Sequence, residues 1–388
     1  MEHVEIFDTT LRDGEQSPGA AMTAATRLRI ARMLDDAGVD TIEAGFPISN
    51  EISFASVAQI AKRTRNARVA GLARCADEDI DAAARALSHA RRPRIHVFIA
   101  TSPVHLQHKL AISGERAVEM AIAAVERARR YCEDVEFSAE DATRSDPAFL
   151  AEIFTAAIAA GAATVNVPDT VGYATPAEME ALIAYLRAHV TGIDRVRMSV
   201  HTHDDLGMAT ANALAAVRAG ARQVECTING IGERAGNCAL EEVVVALQTR
   251  ADLFGARTRF NTATLQRISH TVARGTRMPV QKNKAIVGAN AFAHESGIHQ
   301  DGVLKERSTY EIVDPRTVGR STTLTLGRNS GRHALFTRAT ELGLTFDEEG
   351  RRRFARAFDQ LAARRPSVAD ADLIELAQFR RDPTSVPS

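Results

Sequence analysis

The chain has little of what would direct it to a membrane, a nucleic acid or an oxidising compartment. Its 388 residues include 4 cysteines, Cys75, Cys132, Cys226 and Cys238, and no Cys-x-x-Cys pair. That spread excludes a disulfide framework or a zinc knuckle and fits a reducing compartment, so a cytoplasmic protein is expected. No basic leader runs into an apolar segment, and no apolar stretch approaches the ~18 residues that span a bilayer. The alanine-rich 156–163 segment is too short and too small-residued to do so. With 48 Lys+Arg against 49 Asp+Glu the formal net charge is −1, which gives bulk electrostatics no hold on nucleic acid or lipid headgroups. Internal repeats, low-complexity tracts and a dinucleotide-binding glycine fingerprint are also missing. A protein acting on small molecules remains.

What is present is regular. Hydrophobic residues make up 45% and charged residues 25%, ordinary for a globular protein. Short apolar runs at 4–7, 41–46, 68–72, 94–99, 134–138, 164–167, 196–201 and 223–228 alternate with amphipathic stretches such as 23–37, 53–63, 78–90, 114–130, 147–160, 176–190, 206–219 and 240–253. Strand alternating with helix means βαβ units and a parallel sheet. Eight such pairs in about 255 residues is the count of a (β/α)8 TIM barrel. The pattern stops there, so residues 1–255 read as the catalytic barrel, 256–284 as linker helices and 285–388 as a small helical C-terminal subdomain. The tail 382–388 reads as disordered.

The polar residues of interest fall where a barrel works, at the C-terminal ends of its strands. Asp8-Thr9-Thr10-Leu11-Arg12-Asp13-Gly14-Glu15-Gln16 follows the first run, and Glu43, Leu72, His96, Thr101, Ser138, Glu140 and Thr170 lie at or past the next five. His201 and His203 end the seventh, and Asn229-Gly230-Ile231-Gly232-Glu233-Arg234-Ala235-Gly236-Asn237 follows the eighth. Side chains two apart on a strand share a face, so His201 and His203, about 6–7 Å apart along the chain, can converge on one ion. Asp13, His201, His203 and Asn237 would give two imidazole nitrogens and two oxygens, with positions left open in an octahedral shell. Such a set suits Mg²⁺, Mn²⁺, Co²⁺ or Zn²⁺ without choosing among them. A 2-oxo acid could fill the open positions, and Arg12 is placed to hold its carboxylate or neutralise a developing alkoxide.

These motifs, with Ser296-Gly297-Ile298-His299-Gln300-Asp301-Gly302, resemble the metal-dependent Claisen-condensing acyltransferases, a family of 2-isopropylmalate, homocitrate and citramalate synthases. The likeness runs from about residue 4 to 335. It implies a divalent metal (Mn²⁺ or Mg²⁺, with Zn²⁺ or Co²⁺ as options) on Asp13, His201, His203 and Asn237. It also implies acetyl-CoA as cosubstrate, attack of its methyl carbon on a 2-oxo acid, and thioester hydrolysis. Arg12, Glu140, His299 and Tyr310 take the catalytic positions by this resemblance. Gln16, Leu72, His96, Ser138 and Thr170 join Arg12 at the oxo acid. His299 and Tyr310 would reach the barrel of a second subunit, which implies a homodimer.

Lysine-pathway homocitrate synthases have a histidine where Leu72 stands, facing a second carboxylate. Leu72 offers that carboxylate only an apolar wall, at a cost of several kcal/mol. Ser138 is small, where citramalate synthases use bulk. A branched apolar oxo acid, 2-oxoisovalerate, therefore fits best, with homocitrate synthesis from 2-oxoglutarate as the alternative. Many members carry a further leucine-sensing regulatory domain of about 130 residues, and none is expected before Ser388. A metabolite sensor on the same barrel is the non-enzymatic alternative; it predicts the loss of a ligand or base, and none is lost.

Overall fold

The computed structural model describes residues 1–365 and 367–378, and the tail 382–388 lies outside them. A closed parallel barrel is formed by β1 (Glu5–Asp8), β2 (Thr41–Glu43), β3 (Arg68–Arg74), β4 (Pro93–Ala100), β5 (Asp134–Glu140), β6 (Thr164–Asp169), β7 (Arg197–Thr202) and β8 (Gln223–Cys226). β8 pairs back onto β1, with Glu5 opposite Gln223 and Asp8 opposite Cys226. The helices that follow the strands are α1 (Ala24–Ala37), α2 (Glu51–Arg63), α3 (Asp77–Leu87), α4 (Gly114–Arg129), α5 (Pro147–Ala159), α6 (Pro176–His189), α7 (Ala209–Ala219) and α8 (Leu240–Thr249). This is the eightfold alternation the sequence predicts.

The strands have two very different faces, as their period of two requires. Ile95, Val97 and Ile99 of β4, Val135 and Phe137 of β5, and Val165 and Val167 of β6 are buried, an apolar set that alternates with polar residues. The alternate residues (Arg94 and His96, Glu136 and Ser138, Ser199 and His201, Gln223 and Glu225) turn into the lumen. Arg94 Nη1 of β4 donates to Gln223 Oε1 of β8 at 2.8 Å, a bond between strands that are not neighbours and therefore one that crosses the barrel.

Local chemistry sets the helix starts. Thr175 and Glu178 form a reciprocal capping box ahead of α6, with Pro176 in its first turn. Asn50 caps α2 by accepting from Ser53 N at 2.8 Å. Two strands end earlier than their apolar runs suggest. β2 stops at Glu43 because Gly45 turns the chain (φ 147°) into a 3-10 turn beginning at Pro47, which has no N–H to give a ladder. β8 stops at Cys226, and Ile228–Gly230 forms a turn with Asn229 left-handed at φ 64°.

The chain divides into two compact units, Met1–Val280 and Gln281–Ser388. Within the first, α9 (Leu265–Thr276) packs on α1 and buries Leu265, Ile268 and Val272, so most of the 256–284 segment belongs with the barrel. The second is helical. It comprises α10 (Gly297–Lys305), α11 (Arg332–Glu341), α12 (Glu348–Ala362) and α13 (Asp370–Gln378), around Leu326, Leu335, Phe354, Phe358 and Leu373. Among the described residues no helix is long and apolar enough to cross a membrane.

Candidate active site

His201 and His203 leave the end of β7 with their Nε2 atoms 3.0 Å apart. Asp13 Oδ2 lies 3.8 Å from the first and 3.9 Å from the second. All three are buried. Two ring nitrogens at that distance cannot both carry a proton toward each other. The spacing is that of neighbouring ligands on an octahedral ion, roughly 3.0 Å for bonds of about 2.1 Å. His201 Nδ1 is 2.8 Å from Glu225 Oε2, which puts its proton on Nδ1 and leaves the Nε2 lone pair facing Asp13 and His203. Burial pushes both imidazoles down to about 4, so they are neutral at pH 7. Burial works to raise Asp13, but the Arg12 guanidinium, helped by the two histidines, outweighs it and holds the carboxyl far below its usual range. Neutral imidazoles beside an ionised carboxylate are the protonation states that metal ligation needs.

Asn237 arrives from the glycine-rich loop, which the backbone stitches to the end of β7. Asp204 N donates to Gly236 O and Cys238 N to Thr202 O, each at 2.9 Å, and His203 bridges Asn237. Asn237 Nδ2 donates to Asp13 Oδ1 at 2.7 Å and Ile231 O at 3.1 Å, while its buried Oδ1 has no hydrogen-bond partner among the described residues. That orphaned acceptor and the facing imidazole lone pairs fit a divalent cation. The loop leaves no room for error: a Cβ on Gly232 would sit 2.0 Å from Asn237 Nδ2, and one on Gly236 (φ 101°) 2.0 Å from Gly230 O.

Beside this cluster is a cavity of about 300 Å³. Arg12, Asp13, Gln16, Leu72, His96, Ser138, Glu140, Thr170, His201 and His203, all singled out from the sequence, line it together. Asn237, hydrogen-bonded to Asp13, is not part of the lining. Glu43 organises one wall. It accepts from Arg12 Nε and Thr9 Oγ1, both at 2.6 Å, and from His96 Nδ1 at 2.8 Å. Burial alone would lower His96, but the hydrogen bond to Glu43 and its charge raise it to about 9, so the ring is protonated and both nitrogens donate. His96 Nε2 therefore donates to Ser138 Oγ at 2.6 Å, and Asn166 Nδ2 donates to the same oxygen at 2.8 Å. With both lone pairs taken, the Ser138 hydroxyl has its own proton left to give to a ligand. Thr170 Oγ1, accepting from Asp141 N at 2.8 Å, is also free to donate.

A family model described as HMGL-like matches residues 3–272, and one described as homocitrate synthase post-HMGL domain-like matches residues 286–366. A 2-isopropylmalate synthase of Rhodopirellula baltica is 54% identical over 385 residues, covering 99% of this chain and 73% of that protein. Another, from Pyrococcus abyssi, is 53% identical over 379 residues, covering 97% and 78%. The chain belongs to the 2-isopropylmalate synthase family. Among solved structures, an HMG-CoA lyase of Bacillus subtilis superposes with TM-score 0.62 at 19% identity, over 72% of this chain and 96% of that one. The carboxyl transferase domain of Rhizobium etli pyruvate carboxylase gives 0.57 at 21%, over 73% and 49%. At those identities the likeness shows the barrel fold alone. The family is one of metal-dependent acyltransferases acting on small molecules, which agrees with the ligand cluster found here.

Against that family frame, several lining residues were invisible as site residues in the sequence. Phe46 and Phe98 extend the apolar wall of Leu72, and Asn166, Lys109, Arg234 and Glu225 complete the polar side. Lys109 Nζ binds both oxygens of Glu140, at 2.6 and 2.8 Å. It is carried on a π-helical turn, Leu106–Leu110, whose irregularity no periodicity announces. Arg234 is held in a left-handed conformation (φ 53°) and grips Asp205 through two hydrogen bonds. His299 and Tyr310 belong to the second compact unit, where their rings stack with centroids 4.2 Å apart.

Proposed function

We propose that the chain is a 2-isopropylmalate synthase. It joins the methyl carbon of acetyl-CoA to the ketone carbon of 2-oxoisovalerate and hydrolyses the thioester, releasing 2-isopropylmalate and CoA. The observation that carries this reading is the cavity itself: the Asp13–His201–His203 cluster and the donors Arg12, Ser138 and Thr170 share one small space with an apolar wall of Leu72, Phe46 and Phe98. Carboxylate and keto oxygen want the first group, and an isopropyl side chain wants the second. A distal carboxylate against that wall would lose its hydration without a partner.

Asp13, His201, His203 and Asn237 would hold Mn²⁺ or Mg²⁺, with Zn²⁺ and Co²⁺ also compatible with the donor set. Bound there, the cation supplies Lewis-acid polarisation of the ketone. Arg12, half-buried between Glu43 and Asp13, keeps its full positive charge beside the developing alkoxide. Ser138 and Thr170 orient the oxo acid by donating to its oxygens. Glu140, with the His299–Tyr310 pair of a second copy, is assigned the proton transfer that turns the acetyl methyl into a nucleophile.

A homodimer is supported by where large apolar side chains are exposed. In the barrel unit Ile52, Val104, Tyr173 and Leu206 stand on segments that follow strand C-terminal ends; in the helical unit Ile298, Leu304, Tyr310 and Ile312 stand on one short stretch. Two such surfaces on one chain would cover each other between copies.

The test is release of CoA from acetyl-CoA, followed with a thiol reagent, in the presence of Mn²⁺ and 2-oxoisovalerate, pyruvate or 2-oxoglutarate. The fastest turnover is expected with 2-oxoisovalerate. Preference for 2-oxoglutarate would replace this assignment with homocitrate synthesis, and no release with any of the three would favour a sensor.

A further inference from the structure

Glu225 is a buried carboxylate of the cavity lining for which neither the ligand cluster nor the substrate donors account. It sits on β8 opposite His201 of β7 in the barrel register, so their contact is fixed by strand pairing rather than by the reach of a flexible side chain. Its Oε2 is 2.8 Å from His201 Nδ1. Its Oε1 is buried with no hydrogen-bond partner among the described residues, and His96 Nε2, 4.0 Å away, gives its proton instead to Ser138. A carboxylate stripped of water and given one partner is costly to keep there. That partner is the ring nitrogen which decides where the other ring nitrogen points its lone pair.

The neighbouring imidazole shows the contrast. His203 Nδ1 is buried and has no partner among the described residues, so its tautomer is not imposed from behind. Asp13, in turn, is held by Arg12 Nη1 at 2.6 Å and Asn237 Nδ2 at 2.7 Å. Of the two histidines, only His201 has its protonation and ring angle set by a carboxylate, an arrangement that orients and strengthens a metal-ligating imidazole.

We propose that Glu225 is a positioning residue for the metal, acting through His201. This rests on the metal reading above, and the experiment separates the two. The full-length protein, stripped of metal with a chelator, is titrated with MnCl₂ by calorimetry as wild type, Glu225→Gln and Glu225→Leu. Glu225→Leu is expected to weaken Mn²⁺ about 10–100-fold. Glu225→Gln, which keeps an acceptor at the same place, is expected to fall between the two. A Glu225→Leu protein with an unchanged thermal transition and unchanged Mn²⁺ affinity would overturn the proposal alone. A wild type that takes up no divalent cation would overturn the metal reading and this proposal with it. Should Glu225→Leu fail to fold, nitrogen NMR of the histidine rings in metal-free wild type decides: a proton on His201 Nδ1 supports the proposal, and one on Nε2 overturns it.

Discussion

Two layers of the same barrel lumen, one residue pair apart along the strands, are built on opposite rules. In the lower layer Arg94 donates to Asp134 through Nε and Nη2 at 2.8 and 3.0 Å, and to Glu136 and Gln223 through Nη1 at 2.8 Å each. Gln223 Nε2 returns bonds to Glu136 at 2.7 Å and Ser199 at 2.9 Å. The side-chain oxygens and nitrogens of Arg94, Glu136 and Gln223 are all used. In the upper layer Asn166 Oδ1 and Glu225 Oε1 are buried and have no partner among the described residues, as is true of His203 Nδ1 and Asn237 Oδ1 beside Asp13 and His201. A closed polar network fixes shape, whereas an open one waits for ligands. The lower layer is the floor on which the upper one is held ready.

The comparison can be broken first from above. His203→Ala removes a proposed metal ligand without touching the floor, so CoA release should fall about a thousandfold, or ~4 kcal/mol, while the thermal transition stays close to that of wild type. A mutant that unfolds instead would make His203 a structural residue. Breaking the floor should do the reverse. Arg94→Met leaves Glu136 without its cation in a dry lumen, while Asp134 keeps Arg68, and should cost about 3–5 kcal/mol of stability in urea unfolding. A loss well under 1 kcal/mol would mean that water enters and screens the pair.

The link between layers and pH can then be sharpened through His96. Its folded pKa is raised from 6.5 to about 9, so the stability it contributes is fully present below pH 6.5 and is lost as pH rises through 9. That contribution is about 3 kcal/mol by linkage. Urea unfolding at pH 6 and pH 9.5 should show a decline that His96→Asn flattens. Equal pH dependence in both proteins would place the titrating group elsewhere.

Most of the architecture was legible because it depends on local rules. Runs such as 94–99 alternate apolar and polar residues, and Thr175-Pro176 and Gly38 mark helix ends. The approach of His201 and His203 was legible because they lie two apart at a strand end, on one face of it. Glu225 was not, since Gln-Val-Glu-Cys reads equally as a half-exposed strand, and only closure of the barrel turns its charge inward. Lys109 and Arg234 escaped because they come from an irregular turn and a left-handed residue, whose shapes are set by contacts far away in the chain. The strand ends at Glu43 and Cys226 were misplaced because Gly45, Pro47 and Asn229 override the apolar pattern beyond them.

The clashes around Gly232 and Gly236 bear on how this enzyme can be altered. The loop that presents Asn237 is frozen at two points where any side chain would displace either a donor or the backbone itself, so variation aimed at new substrates has no useful foothold there. The apolar part of the cavity lining, Leu72, Phe46 and Phe98, comes from other segments, so exchange there should leave the Asp13–His201–His203 cluster in place. A library confined to those three positions should yield folded, metal-competent proteins with shifted appetites, and one directed at the glycine loop should yield mostly dead ones.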